Sequence, residues 1–401
     1  MSDNTIHVTR SIHAPREEVC RGFTHATLLR DWLSNASSVE AYKGGHIFLR
    51  WRDGRTVTGT YEQIDPPQEV RFTWLDTDLQ APSVIQVTCS PEGEGTLLSL
   101  EQTGQIDRAE QAAMEAFWKQ SLENLASVLE TGIDLRFARR PRLGISMDEF
   151  TPQVAQRLGV PVSEGVLVGS TAEGSGARAA DLQKEDVLVS LNGHPLAGPH
   201  SFDVALRGLK AGDQPVVEYY RGPEKHSVTL QLGTFPIPDL PASASELADK
   251  VRELNSKILA AIRKQVEGLS EKQANARPAE GEWSVNELVA HFVLAQRDYQ
   301  SWVADMINDI PVEDWLMNRS NLQARITSLT ARLPTLPALL DELEQAQTET
   351  STMIASFPES FVSHRKHLYR RAAGWEMQEI PDHYYEEHQE QFRKTIEASK
   401  D

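Results

Sequence analysis

Short runs of alternating hydrophobic and polar residues fill the first third of the chain, and turn residues separate them. In Val70–Trp74 the large apolar side chains share one face and the polar ones share the other, as in a half-buried antiparallel strand. The same pattern predicts further strands at Thr5–Ile12, His46–Trp51, Thr56–Ile64, Val84–Cys89 and Thr96–Gln102. A helical spacing then predicts one long helix, Ala109–Glu130, with an apolar stripe. These elements predict an α+β segment.

The pattern changes twice after this helix. Gly165–Val168, Val216–Tyr220 and Ser227–Leu232 predict short strands, and Ser201–Leu209 predicts a helix, so the middle of the chain is β-rich. Phe235–Ala242 holds three prolines in eight residues, which favours an extended linker. Beyond it, apolar residues recur at helical spacing and predict an all-α segment.

We therefore predict a multi-domain fold, since a chain of 401 residues is too long for one ordinary core. The predicted domains are an α+β domain over 1–137, a small β-rich domain over 138–235, a Pro-rich linker over 236–243 and an all-α four-helix bundle over 244–401.

Charge and composition limit the classes of partner that the protein is expected to bind and the cell compartment in which we expect it. The formal net charge of −18 argues against non-specific binding to nucleic acid or to anionic membranes. No apolar run approaches the ~20 residues of a membrane span, and the polar N-terminus has no signal-peptide pattern. Only two cysteines, Cys20 and Cys89, are present. We expect a cytoplasmic protein.

The first segment carries several family-like motifs: HAPREEV at His13–Val19, the pairs Gly44-Gly45, Asp53-Gly54 and Pro66-Pro67, FTW at Phe72–Trp74, and Trp118 in the closing helix. It resembles the SRPBCC superfamily in its branch of heat-shock-protein-90 ATPase activator homologues. The resemblance implies a helix-grip fold, a curved sheet around one long helix, with an apolar cavity between them. Candidate lining residues are Trp32, Trp51, Phe72, Trp74, Phe117 and Trp118. The alternative is that these aromatic side chains are plain core, and we assign no catalytic residue.

The middle segment carries Arg142–Ile145 and, about forty residues on, Asp186–Gly193. This pair resembles a PDZ domain of the HtrA-associated type, although Glu185 replaces a usual glycine. The resemblance implies that backbone N–H groups around Leu143, Gly144 and Ile145 bind the terminal carboxylate of a peptide or protein partner. Candidate peptide-binding residues are Arg142, Leu143, Gly144, Ile145 and Leu206. The alternative is a spacer or an intramolecular dock.

The last segment carries EGEWSVNELVAHF, in which Ser284 and Glu287 form a predicted capping box, and HYYEEHQEQF. Both resemble helices of the DinB/YfiT four-helix-bundle superfamily. Metal-binding members of that superfamily use three histidines, one from the second helix and two spaced by four in the last. His291 and His388 match, but Tyr384 stands four residues before His388.

His383 lies five residues before His388, roughly 140° away around an α-helix. We therefore predict a broken triad and no cofactor, unless His383 or Glu387 swings in to complete a zinc or nickel site. A basic cluster near His364 and His367 comprises Arg365, Lys366, Arg370 and Arg371. We expect it to be a solvated face, and the alternative is a dock for acidic segments of the same chain.

Three functions stay open from sequence. The favoured one is a binding protein and not an enzyme: the SRPBCC-like domain holds an apolar ligand or client, and the PDZ-like domain holds a peptide C-terminus, in a chaperone- or stress-associated role. The main alternative is a metal-dependent transferase or hydrolase acting through the bundle, with a thiol as co-substrate. The third is a stress-associated scaffold without a small ligand.

Overall fold

The computed structural model describes residues 4–77, 82–104, 108–235, 237–311 and 319–400; Pro236 of the expected linker lies outside them. The chain divides into two units, Met1–Asp134 with Asp239–Asp401, and Leu135–Pro238. We call the part up to Asp134 the N-terminal module, Leu135–Pro238 the middle module and the part from Asp239 the helical module. The N-terminal and helical modules thus form one unit, although the middle module separates them in sequence.

A seven-stranded antiparallel sheet forms most of the N-terminal module. Its strands are β1 (Asn4–Ile12), β2 (Ala36–Val39), β3 (His46–Arg50), β4 (Thr56–Asp65), β5 (Glu69–Asp76), β6 (Ser83–Glu92) and β7 (Gly95–Gly104). They are ordered β1-β7-β6-β5-β4-β3-β2. The alternation predicted for Val70–Trp74 is found in β5, where Val70, Phe72 and Trp74 are buried. The other strands predicted in this segment are also confirmed.

Helices cover one face of this sheet. The short α1 (Arg16–Arg21) and α2 (Ala26–Trp32) follow β1, and the long α3 (Arg108–Thr131) ends the module. The apolar stripe of α3 buries Trp118, Leu122, Leu125 and Leu129 in the same core as the sheet residues. The expected helix-grip architecture is therefore confirmed.

The middle module is built on a separate six-stranded antiparallel sheet. Its strands are β8 (Ile145–Asp148), β9 (Val166–Thr171), β10 (Val187–Leu191), β11 (His194–Pro195), β12 (Val216–Arg221) and β13 (Glu224–Thr229). Its helices are α4 (Leu135–Ala138), α5 (Pro152–Leu158), α6 (Gly176–Ala179) and α7 (Pro199–Ala205). The main path runs β13-β12-β10-β9-β8, so β8 is an edge strand. An edge strand can accept an added strand along its free side.

The helical module consists of long helices joined by short ones. They are α8 (Ala244–Gln265), α9 (Glu271–Ala274), α10 (Val285–Ile307), α11 (Gln323–Arg332), α12 (Leu336–Ala355) and α13 (Glu359–His364). The predicted capping box begins α10: Ser284 Oγ accepts from Glu287 N–H, and Glu287 Oε2 accepts from Ser284 N–H at 2.9 Å. No helix in the described parts of the chain combines the length and apolar content of a membrane span.

The last helical run is interrupted by two π-turns. It comprises α14 (Lys366–Gly374), a first π-turn (Trp375–Glu379), α15 (Ile380–Asp382), a second π-turn (His383–His388) and α16 (Gln389–Ala398). Ile380 N–H donates to Trp375 O, and Gln389 N–H donates to Tyr384 O, each spanning five residues. Pro381 gives one cause of the first widening, because it lacks an N–H and its ring crowds the carbonyl four residues earlier.

The expectation that the basic cluster of α14 is solvated is wrong. His367 is only 8% exposed, and Arg371 forms an ion pair with Asp31 of the N-terminal module. Arg370 Nε donates to Thr131 O at 3.2 Å. The cluster docks on the N-terminal module because that face offers carboxylates and free carbonyl groups, which a reading of α14 alone does not reveal.

A buried carboxyl group lies in the first π-turn. Glu376 is 1% exposed, and Gln296 Nε2 approaches both of its carboxylate oxygens at 3.4 Å. Burial raises the pKa of Glu376 to about 7, although the neighbouring side-chain amides of Gln296 and Asn255 act in the opposite direction. Because the pKa is raised on folding, this group favours the folded state at low pH, and that contribution is lost as the pH rises through 7.

We expect Glu376→Gln to flatten this pH dependence. The unchanged protein should lose about 3 kcal/mol of helical-module stability between acid and alkaline conditions, since each pKa unit corresponds to ~1.4 kcal/mol. Hydrogen exchange of the helical-module amides, corrected for the intrinsic rate at each pH, measures this loss. Glu379→Gln, an exposed change in the same turn, is the control and should behave like the unchanged protein. Equal pH dependence in all three proteins would contradict the assignment of this stability loss to Glu376.

Candidate metal centre

The first histidine of the site comes from α10. The capping box fixes where α10 begins, and His291 then lies on its buried side, 2% exposed. The Trp283 ring packs against the His291 ring with centroids 5.2 Å apart. His291 is therefore held inside the helical core with one aromatic wall.

The other two histidines come from the second π-turn. In an α-helix, His383 and His388 would point in different directions, and this was the reason to expect a broken triad. The bonding between residues five apart instead brings them to successive turns on the same side of the helix. The prediction that His383 points away from His388 is therefore wrong, because this segment is a π-turn and not an α-helix.

The three imidazoles converge through their ring nitrogens. His383 Nε2 lies 3.1 Å from His291 Nε2 and 2.9 Å from His388 Nε2. One ring nitrogen from each histidine lies within 4.8 Å of the other two. Zinc–nitrogen bonds of about 2.0–2.1 Å require ligand atoms at separations of this order.

Partners on the outer ring nitrogens orient two of these histidines. His383 Nδ1 lies 3.0 Å from Glu387 Oε2, and His388 Nδ1 lies 2.7 Å from Gln391 Oε1. Such partners hold the ligand rings of a metal site in one orientation and leave the other ring nitrogen for the metal. The Nε2 atoms of the two rings face each other at 2.9 Å.

Burial keeps two of the rings neutral. It lowers the pKa of His291 to about 3, with further lowering from His388 and His383. It lowers the pKa of His388 to about 4, again with His383 adding to the effect. Neutral imidazole is the form that binds metal. The His383 side chain is 31% exposed and gives the cluster a side open to solvent.

Tyr384, which occupies the sequence position of the expected third ligand, has a different role. Its ring is fully buried, and its hydroxyl donates to Gln265 Oε1 of α8 at 3.0 Å. Gln265 Nε2 in turn donates to Gln389 O at 3.1 Å. Gln265 thus bonds to both sides of the π-turn and ties it to α8.

The predicted peptide-binding loop lies just before the edge strand β8. Gly144 has φ of +86°, and an added Cβ would lie 2.2 Å from Ser175 Cβ, so only glycine fits. Leu143 is buried, and Arg142 stacks over Phe235 at 4.9 Å. Among the described residues, none accepts a hydrogen bond from the N–H groups of Leu143 and Gly144. Leu206 packs partly buried at the end of α7.

Five of the six predicted cavity residues form one aromatic cluster in the N-terminal module. Trp74 packs on Trp118 at 5.1 Å, and Phe117 packs on Trp118 at 5.2 Å; Trp51 and Phe72 adjoin Trp74. Trp32 lies apart, against Phe23 at 5.2 Å. These rings contact one another directly, as core residues do, and a ligand cavity stays a prediction.

Sequence models of three families match the chain in consecutive segments. The model described as activator of Hsp90 ATPase homolog 1-like protein (AHSA1) matches residues 13–130, the PDZ domain model matches 141–232, and the DinB superfamily model matches 254–391. The chain therefore joins an AHSA1-like, a PDZ and a DinB-like module. The DinB-like match contains all three histidines, and the PDZ match contains the Gly144 loop. The predicted boundaries themselves stay predictions.

Curated relatives match only part of the chain. A probable periplasmic serine endoprotease DegP-like of Rhizobium meliloti is 30% identical over 94 residues, which is 23% of this chain and 19% of that protein. The chain thus covers about a fifth of that relative's length. That relative is named as periplasmic, and the cytoplasmic location expected here stays a prediction.

Solved structures similar to the chain include two bacterial proteins. Protein MLL2253 from Mesorhizobium loti is 25% identical and covers 31% of this chain and 96% of its own, with a TM-score of 0.29. Protein CV1439 from Chromobacterium violaceum is 28% identical, with the same coverage and a TM-score of 0.29.

One residue at the DinB-like triad, Gln391, was not assigned a function from sequence. It lies three residues after His388, so the two side chains share one side of the helix. That spacing was the one available signal.

We expect Glu387→Ala to weaken metal binding about 10- to 100-fold, because His383 would lose the acceptor that orients its ring. Glu387→Gln keeps an acceptor and should recover most of the affinity. Glu386→Ala, a change at the exposed residue next to Glu387, is the control and should leave the affinity unchanged. Titration with cobalt(II), followed by its visible absorption, measures the affinity. Equal affinities for the two alanine variants would show that Glu387 does not position the ligand.

Proposed function

We propose that the helical module binds a divalent transition metal through His291, His383 and His388, and that the chain is a metal-dependent transferase or hydrolase. The observation that carries this proposal is the convergence of the three ring nitrogens, with His383 Nε2 2.9 Å from His388 Nε2 and 3.1 Å from His291 Nε2. This reverses the preference for a pure binding protein, which depended on His383 pointing away.

The donor set fits zinc or nickel. Imidazole nitrogen is a good ligand for both metals. Burial already keeps His291 and His388 in the neutral form that binds metal. Catalytic zinc sites commonly have three protein ligands and keep a further position for water or substrate. The partial exposure of His383 supports such an accessible position.

Residues around the triad support a reactive site more than a structural one. Glu387 and Gln391 hold two ligand rings in one orientation. Trp283 and Phe292 give the site apolar walls, with the Phe292 ring 5.2 Å from the His388 ring. A bound ion would act as a Lewis acid and lower the pKa of a thiol or water in its open position. A thiol co-substrate fits this soft, nitrogen-ligated site.

Peptide capture by the middle module is the second proposed activity. Two features support binding of a C-terminal carboxylate beside an added strand: β8 is an edge strand, and the N–H groups of Leu143 and Gly144 donate to no residue that the structure describes. Arg142, next to these groups, adds positive charge. We propose that this module recruits a peptide or protein partner for a chain whose chemistry lies in the helical module.

We expect purified protein to contain about one zinc or nickel ion per chain, held by three histidine ligands. His291→Ala should lose most of this metal, because two remaining ligands cannot hold the ion tightly. The exposed His364 provides a matched control, His364→Ala, which should keep it. Elemental analysis after dialysis is the measurement. Metal contents that are equal in both variants would contradict the proposed site.

We expect the middle module to bind peptides with a free C-terminus about 10- to 100-fold more tightly than amidated ones, since hydrogen bonds to a charged group contribute about 1.5–3 kcal/mol. Gly144→Val should abolish this difference, because its side chain would collide with Ser175. Arg142→Glu should reduce it without altering the backbone. Fluorescence anisotropy with labelled peptides measures both. Equal binding of free and amidated peptides to the unchanged protein would refute the activity.

A further inference from the structure

The N-terminal module has a face that the helical module covers. We define this docking face as Glu18, Arg21, His25 and Asp31 together with the C-terminal end of α3. We propose that the helical module is a built-in binding partner of this face, and that the two modules stay associated without the middle module, which is an insertion between them. This interface is independent of any metal or peptide.

Charge complementarity across the interface supports specific recognition. Among the described residues, three arginine–carboxylate ion pairs cross it: Arg21 with Asp309, Arg365 Nε with Glu18 Oε1 at 3.4 Å, and Arg371 with Asp31. The docking face supplies one cation and two anions, and the helical module supplies two cations and one anion, so the six charges balance. Only 11% of the Glu18 side chain and 10% of the Asp31 side chain are exposed. Carboxylates at this depth are stable only when they are paired.

The end of α3 provides a second set of contacts. Lys366 Nζ donates to Glu130 O at 2.8 Å, and Arg370 Nη2 donates to Thr131 O at 3.2 Å. The last carbonyls of a helix lack partners within the helix and carry partial negative charge, so cations stabilise them. Gly132 has φ of +75°, and an added Cβ would lie 2.5 Å from Lys366 O. The close approach therefore requires glycine.

Two buried histidines at the interface, His25 and His367, add no charge to it. Burial lowers the pKa of His25 to about 4, and Arg21, Arg365 and Arg30 lower it further. His367 is lowered well below its usual pKa by burial and then by Arg371, Arg21, His25 and Arg365, although Asp31 lies 3.9 Å away. Both rings are therefore neutral at neutral pH, and the six charges remain balanced.

The chain leaves the N-terminal module and enters the helical module at two points that both lie beside α14. Arg370 contacts Thr131 near the end of the N-terminal module. The adjacent Tyr369 donates its hydroxyl to Pro241 O at 3.1 Å and to Ser243 O at 2.9 Å, where the helical module begins. The chain thus leaves and re-enters this unit near the same turn of α14. Neighbouring ends are typical of sites where a domain can be inserted.

Cutting the full chain tests the proposal. Protease recognition sequences are placed after Arg140 and after Ile237, and the folded protein is cleaved at neutral pH in physiological salt. We expect the N-terminal and helical modules to elute together in a 1:1 ratio on size exclusion, while the middle module elutes alone. Separation of the N-terminal and helical modules would overturn the proposal.

Charge reversal tests the recognition itself. In the cleaved protein, Asp31→Arg or Arg371→Asp alone should weaken association by about 30-fold or more, because each leaves like charges facing. The double variant restores an opposite pair and should restore association, which also shows that both changes are compatible with folding. Arg263→Asp, at an exposed pair with Glu344, is the control and should have no effect. Single variants that remain associated, or a double variant that remains separated, would overturn the proposal.

Discussion

One change in backbone bonding determines what the helical module can do. Between His383 and His388 the helix bonds across five residues, and only this spacing places both rings beside His291. With regular α-helical bonding, the same sequence would place one histidine in the core and the other toward a different neighbour. The three-nitrogen arrangement and the partly exposed side at His383 both follow from that single widened turn.

The run from Lys366 to Ala398 connects three features of the structure. Its first part, α14, docks on the N-terminal module through Arg371 and Lys366. Its first π-turn carries the buried Glu376, and its second carries two of the three imidazoles. One continuous helical run therefore bears the contact with the N-terminal module, the buried carboxyl group and two of the three metal-ligand candidates.

Patterns among neighbouring residues predicted most of the fold, but they did not predict the geometry of the site. Alternation in Val70–Trp74 and the Ser284–Glu287 capping box depend on neighbours in sequence, so the prediction and the structure agree. The direction of His383 depends on a helix that is not an α-helix, and a fixed period of 3.6 cannot represent that. His367 is buried because a distant module covers it, and nothing within α14 itself indicates that contact. Pro381 is a local sign of an irregular helix, but a proline does not specify which side chains meet.

Tyr384 explains why the widened turn persists although it replaces a ligand. A π-turn has poorer packing than an α-turn and needs outside support. Tyr384 donates to Gln265 Oε1, and the same glutamine donates to Gln389 O, so α8 holds both sides of the turn. A metal that binds the folded arrangement alone would stabilise it further, by about 2.7 kcal/mol at a hundredfold excess over its dissociation constant. The residue that seemed to break the triad thus supports the geometry in which His383 completes it.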